Sequence, residues 1–384
     1  MKLPQHKDAT LLAIDKAIEV KENAERKRAY LGMSGVGHAC RRKLWYEFRW
    51  AEKSRFEAST LRLFQDGHKG EDIMAERLRM VPSVELYVVD YGTGRQFEFK
   101  DLSGHFLGHM DGSICGLVQN PTEWHVWEHK QVAETKYKKL IKLIEERGEQ
   151  HAFAAWDWTY YVQGILYMHY SGMKKHYLTV STPGGREYTS CTTEFLQPEK
   201  DEVESTIKRA KKIIEASEPP PRHSEDPNNF VCGWCDYKEI CHGTKAPQAN
   251  CRTCAHSTPV MSEEETKGSW VCSMHEKELS RTAQRKGCAD HIFIPPVINL
   301  PVEEASEEDN YVGYKLPNGN VFYNSNHTGH RCFDSEQLSA LDDLTVLQDE
   351  ALMAVIKDMG GTIVPNDLTV TEKEDETNDK EVVG

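Results

Sequence analysis

No stretch of this 384-residue chain runs apolar for 18 residues or more, and no charged-then-apolar leader opens it. Neither a membrane-crossing helix nor a secretory signal is expected, and the sequence reads as a soluble, cytoplasmic protein. Internal repeats are missing too. So is any excess of positive charge: the formal net charge is −14, which at first sight argues against nucleic acid. Its distribution changes that reading, because residues 301–384 carry 19 acidic against 5 basic side chains, and residues 1–300 carry 42 of each. Within the neutral part, basic residues cluster at Arg26-Lys27-Arg28, Arg41-Arg42-Lys43, Lys136-Lys138-Lys139-Lys142 and Lys208-Arg209-Lys211-Lys212. Such runs form either solvated helix faces or a track for a phosphate backbone. Cysteine, by contrast, is plentiful at 11 residues. Disulfides are not expected in a cytoplasmic chain, so the cysteine spacing points to metal.

Apolar periodicity predicts helices over 8–29, 41–49, 56–80, 134–147, 151–170, 198–216 and 335–359. Strands are expected over 85–90, 96–100, 106–110, 113–117, 124–131, 176–181 and 187–192, with a hairpin over 311–323 that turns at Asn318-Gly319. Pro219-Pro220-Pro221 and Pro295-Pro296 mark boundaries. The expected division is an N-terminal helix (1–30), a catalytic domain (31–245), a cysteine-rich module (246–296), a small α+β region (297–366) and a disordered acidic tail (367–384).

The chemistry concentrates in two short stretches, His109-Met110-Asp111-Gly112 and Trp127-Glu128-His129-Lys130. A strand's two-residue period puts Glu128 and Lys130 on one face, and a hairpin or loop would bring Asp111 beside Glu128. Two converging carboxylates repel unless a divalent cation lies between them, and hard oxygen donors favour magnesium or manganese. The main-chain carbonyl of His129 is a candidate third ligand. Lys130 would then position a water for attack on a phosphodiester.

Cys232-Gly-Trp-Cys235 followed by Cys241 supplies three thiols on a short loop, and Cys40, in Ser34-Gly-Val-Gly-His-Ala-Cys40-Arg-Arg-Lys-Leu-Trp-Tyr46, is the candidate fourth. Zinc is the default for four thiolates on general grounds. With the acidic pair, these motifs resemble the PD-(D/E)xK superfamily, although Met110 stands where the superfamily has proline. Within it they are similar to RecB-type iron-sulfur nucleases, among them CRISPR-associated exonucleases, the AddB helicase-nuclease subunit and related phage proteins.

That resemblance spans about residues 31–242. It implies an α/β restriction-endonuclease-like core, a mixed sheet flanked by helices, closed by a four-iron four-sulfur cluster on Cys40, Cys232, Cys235 and Cys241. It also implies that His68, in Gly67-His68-Lys69-Gly70-Glu71, joins Asp111 and Glu128 on the catalytic metal, with Glu71 orienting the imidazole or approaching the metal itself. Gln163 and Tyr167, aligned at i and i+4, would contact the scissile phosphate or its neighbour.

Downstream, Cys251, Cys254, Cys272 and Cys288 have spacing compatible with a structural zinc ion, with His256, His275 or His291 as possible substitutes for one sulfur. Cys115, Cys191 and Cys332 stand alone and read as small apolar residues. The expected activity is hydrolysis of DNA from single-stranded ends, in recombination, repair or processing, with a recombination or replication protein as a conceivable partner. Two alternatives remain: a DNA-binding scaffold that has lost catalysis, and an endonuclease. The latter needs a base-reading element, and no helix-turn-helix or basic recognition helix is visible.

Overall fold

The computed structural model describes residues 8–358, apart from 25–27, 53–54 and 265. The acidic tail, and part of the first basic cluster, lie outside the described residues. The fold is mixed α/β, with several sheets flanked by helices. In order, the first elements are α1 (Ala9–Asn23), β1 (Leu31–Gly32), α2 (Arg41–Phe48), α3 (Ala58–Arg79), β2 (Glu85–Tyr87), β3 (Phe97–Asp101), β4 (Phe106–Met110), β5 (Gly112–Cys115) and β6 (His125–Gln131). After them come α4 (Glu134–Arg147), α5 (Glu149–Trp156), α6 (Trp158–Ser171), β7 (Lys175–Ser181), β8 (Tyr188–Glu194) and α7 (Gln197–Glu215).

The central sheet has the order β2-β5-β6-β7-β8, and beside it lies a smaller sheet, β1-β4-β3. Strands β6 and β7 run parallel over seven residue pairs, and a parallel pair needs a crossover, which α4, α5 and α6 supply. Strand β6 is buried on both faces from His125 to His129, although it carries Glu128 and His129 as well as Val126 and Trp127, so its polar residues are sunk into the fold. Asp111 falls between β4 of one sheet and β5 of the other, so the chain changes sheet at that residue.

Two expected helices are divided. The 151–170 segment is interrupted at Asp157, whose backbone is extended (φ −152°, ψ 107°) and whose side chain caps α6 by accepting from the Tyr160 N–H at 3.0 Å. Its other oxygen accepts from Lys136 Nζ at 2.6 Å. The 335–359 segment becomes α11 (Ser335–Ser339), a 3-10 turn (Leu344–Gln348) and α12 (Glu350–Asp358), because Asp343 and Asp349 each turn back to cap the next piece.

The rest of the chain adds α8 (Phe230–Gly233), α9 (Lys238–Cys241), a sheet of β9 (Ser257–Pro259), β10 (Trp270–Cys272) and β11 (Lys277–Glu278), and α10 (Arg281–Lys286). A final sheet contains β12 (Val302–Ser306), β13 (Tyr311–Lys315), β14 (Val321–Ser325) and β15 (Cys332–Phe333). One continuous apolar core runs from Leu31 through Trp270 and Tyr314 to Ile356. A smaller core of Met74, Ala75, Leu86, Ile114, Leu117 and Trp127 lies between α3 and the central sheet. No described helix is long and apolar enough to cross a membrane.

Candidate metal and nucleic-acid site

The switch between sheets places Asp111 against β6. The His129 N–H donates to Asp111 Oδ2 at 3.1 Å. A strand residue's N–H and C=O leave on the same side, so the His129 carbonyl is directed toward Asp111 as well. The His129 ring points elsewhere, between the hydroxyls of Thr179 (3.0 Å) and Ser181 (3.1 Å), where burial and the Lys130 charge lower its pKa to about 4.

Glu128 is almost fully buried. Its Oε1 accepts from Lys130 Nζ and, at 2.8 Å, from Gln163 Nε2, which also lies 3.4 Å from the Tyr167 hydroxyl. Oε2 is buried with no hydrogen-bond partner. An unpaired buried carboxylate oxygen is costly, and the cost appears as a shifted titration. Burial and then the Asp111 charge push the Glu128 carboxyl up to about 8, against the pull of Lys130. Burial works against the Lys130 ammonium, but Glu128 and Asp111 outweigh it and hold its pKa above the ordinary lysine value. Tyr160 lies beside that ammonium, its ring centroid 5.1 Å from Nζ.

Helix α3 brings a third carboxylate. It buries Leu61, Gly70, Met74 and Ala75, and His68, two residues from Gly70, lies about 200° round the helix and is exposed. Glu71 is the residue of this helix that reaches the site. Burial and Asp111 raise its carboxyl to about 8, opposed by Lys130. The expected cluster is therefore assembled as Asp111, Glu128, Lys130, Gln163 and Tyr167, with Glu71 in the position anticipated for His68. The donor chemistry, hard oxygens with one left unpaired, fits a divalent cation of the magnesium type.

Cys40, Cys232, Cys235 and Cys241 line one cavity of about 20 Å³ together with Arg42, Lys43 and Lys238. Cys40 caps α2, its sulfur accepting from the Lys43 N–H at 3.4 Å. The pKa values of Cys235 and Cys241 are raised, mainly by burial, and in each the Cys40 charge adds to the rise. The loop that delivers Cys40 is packed on α6, since a Cβ on Gly37 would lie 2.8 Å from Thr159 Cα. Cys251, Cys254, Cys272 and Cys288 line a second cavity of about 60 Å³. All eight thiols are free.

The basic clusters mostly pair with acids one turn away, as in Lys138–Glu134, Lys142–Glu146, Lys208–Glu204 and Lys211–Glu215, which is the behaviour of solvated helix faces. Trp45, Trp156 and Tyr161 are buried in the core, and Trp158 is exposed.

No family model and no curated protein matches this chain. Among solved structures, it is similar to the crystal structure of SSO0001, with 15% identity, coverage of 61% of this chain and 96% of that one, and a TM-score of 0.36. It is also similar to an alkaline exonuclease (LHK-Exo) from Laribacter hongkongensis, with 13% identity, coverage of 51% of this chain and 90% of that one, and a TM-score of 0.33.

Proposed function

We propose that this chain is a metal-dependent deoxyribonuclease that hydrolyses phosphodiester bonds from single-stranded DNA ends. The observation that carries the reading is the unpaired, buried Oε2 of Glu128 beside Asp111, in a cluster where three carboxylates share the field of Lys130. Such a cluster is unfavourable by itself and becomes favourable around a hard divalent cation.

Asp111, Glu128 and the His129 carbonyl would hold magnesium or manganese, with Glu71 as the further carboxylate. When bound, the ion supplies Lewis acidity and lowers the pKa of a water. Lys130, kept charged by Glu128 and Asp111, orients the attacking water and offsets charge developing on the phosphate. Gln163 fixes Glu128 by hydrogen bonding to Oε1, and Tyr167 extends that contact toward the phosphate. Cys40, Cys232, Cys235 and Cys241 would hold a four-iron four-sulfur cluster, tying the N-terminal segment at α2 to the loop of α8 and α9. Thiolate ligation suits either zinc or iron-sulfur, and similarity to RecB-type nucleases favours the latter.

The test compares linear and covalently closed circular single-stranded DNA, each with manganese, using protein purified without oxygen. Digestion of the linear strand alone is expected. Cutting of the circle would make the protein an endonuclease, and cleavage of neither would overturn the nuclease reading in favour of a DNA-binding scaffold.

A further inference from the structure

Two guanidinium groups are buried where the second cysteine set meets α2. Arg252, between Cys251 and Cys254, is 0% exposed, and Arg49, immediately after α2, is 2% exposed. Arg252 donates to the Phe48 carbonyl (2.9 Å), the Ala29 carbonyl (3.0 Å) and Gln284 Oε1 (2.9 Å). Arg49 donates to the carbonyls of Arg252 (2.9 Å) and Ala216 (3.0 Å). Aromatic rings fill the remaining space: Trp50 lies 3.8 Å and Trp270 4.8 Å from the Arg252 guanidinium, and Trp45 lies 4.9 Å from that of Arg49.

Every one of these acceptors is neutral. Carbonyls and rings solvate a buried cation but do not neutralise it, and two such cations side by side repel. Burial pulls Arg49 down to about 10, and the group whose negative charge would oppose this is Cys254.

The missing anion has a source on the same loop. Four thiolates around one divalent cation carry a net double negative charge. We propose that Cys251, Cys254, Cys272 and Cys288 bind one divalent cation of the zinc class as a four-thiolate complex, that this complex is the counter-charge of the buried arginine pair, and that Arg252 carries its occupancy to α2. Because Arg252 lies between two of the ligands and its side chain holds the last carbonyl of α2, movement of the loop is movement of that contact. His275 Nε2 lies 3.6 Å from Cys288 Sγ and 3.4 Å from Asp290 Oδ2, placed to orient the most exposed of the four sulfurs. This inference stands apart from the nuclease reading and survives its failure.

The test uses the full chain, with zinc content measured by mass spectrometry and hydrogen exchange followed over residues 41–48, before and after a zinc chelator with magnesium in excess. About one zinc per chain is expected, retained in Cys40→Ser and lost in Cys254→Ser. Removing zinc from the unmodified protein should raise exchange across α2 about tenfold. Arg252→Met should keep its zinc yet show the raised exchange already, and chelation should add little more. Absence of zinc, zinc that survives Cys254→Ser, or an α2 indifferent to its removal would each overturn the proposal. The chelation arm needs no substituted protein, so the outcome does not depend on Arg252→Met folding.

Discussion

Glu128 is the residue on which the site turns. In the metal-free folded protein its carboxyl holds a proton up to about 8, whereas in the unfolded chain it ionises near the ordinary 4.5. Between those values the folded state binds more protons than the unfolded one, so stability falls as pH rises. The melting temperature of metal-free protein should therefore drop from about pH 5 to pH 8, and Glu128→Gln should flatten that slope. Manganese should restore the loss at pH 8 in the native protein and not in Glu128→Gln. An equal pH slope in both proteins would remove the claim that Glu128 carries this strain.

The pairing of Glu128 with Lys130 was legible in the sequence because a strand's alternation fixes which side chains share a face. The His68 expectation fared differently. Similarity of a motif located the helix, but which residue turns inward depends on where the helix packs. Gly70 and Met74 on the buried side take His68 to solvent and bring Glu71 toward Asp111. A plot of the helical face would have shown that His68 opposes Gly70 and Met74. Nothing in the sequence signalled the burial of Arg49 and Arg252, because an isolated arginine normally indicates surface.

Among the elements, the contact between β4 and α6 sets the site's depth. A Cβ on Gly108 would lie 2.7 Å from the Tyr167 ring and 2.8 Å from Met33, so no larger residue fits without moving one of them. Gly108→Ala should cost about 1–3 kcal/mol in thermal or urea unfolding. It should also lower activity by displacing Tyr167, and unchanged stability would show that α6 is less tightly held than its packing implies. At the cavity between α2 and the loop of α8 and α9, Cys235→Ser should reduce iron from about four per chain to near zero by chemical analysis. Iron retained in that variant would mean that the four thiols lining this cavity are not the ligands.

Most elements could be anticipated from periodicity, with ends accurate to a few residues. The two long helices that proved to be divided share one cause. Asp157, Asp343 and Asp349 sit in runs whose apolar pattern continues across them, and each becomes a cap only because the chain turns there. Capping residues within a helical pattern are ambiguous until the packing is known.

For the molecule as a whole, the boundaries expected at Pro219-Pro220-Pro221 and Pro295-Pro296 do not divide the apolar core. It continues from the central sheet through Trp270 and Phe293 to Leu344 and Met353. The charge asymmetry was legible from composition, and 12 of the 19 acidic residues of 301–384 lie within the described part of the chain, up to Asp358. Deleting 368–384 should raise affinity for single-stranded DNA at low salt if the acidic tail competes for the DNA site, and unchanged binding would discard that role.

The most direct measurement is the digestion of end-labelled single-stranded DNA by anaerobically purified protein with manganese, alongside Glu128→Ala and Lys130→Ala of matched iron content. The native protein should release label, and each substitution should reduce the rate at least about a hundredfold. Cleavage that persists in either variant, or none in a native protein that retains its iron, would contradict the assignment of catalysis to this cluster.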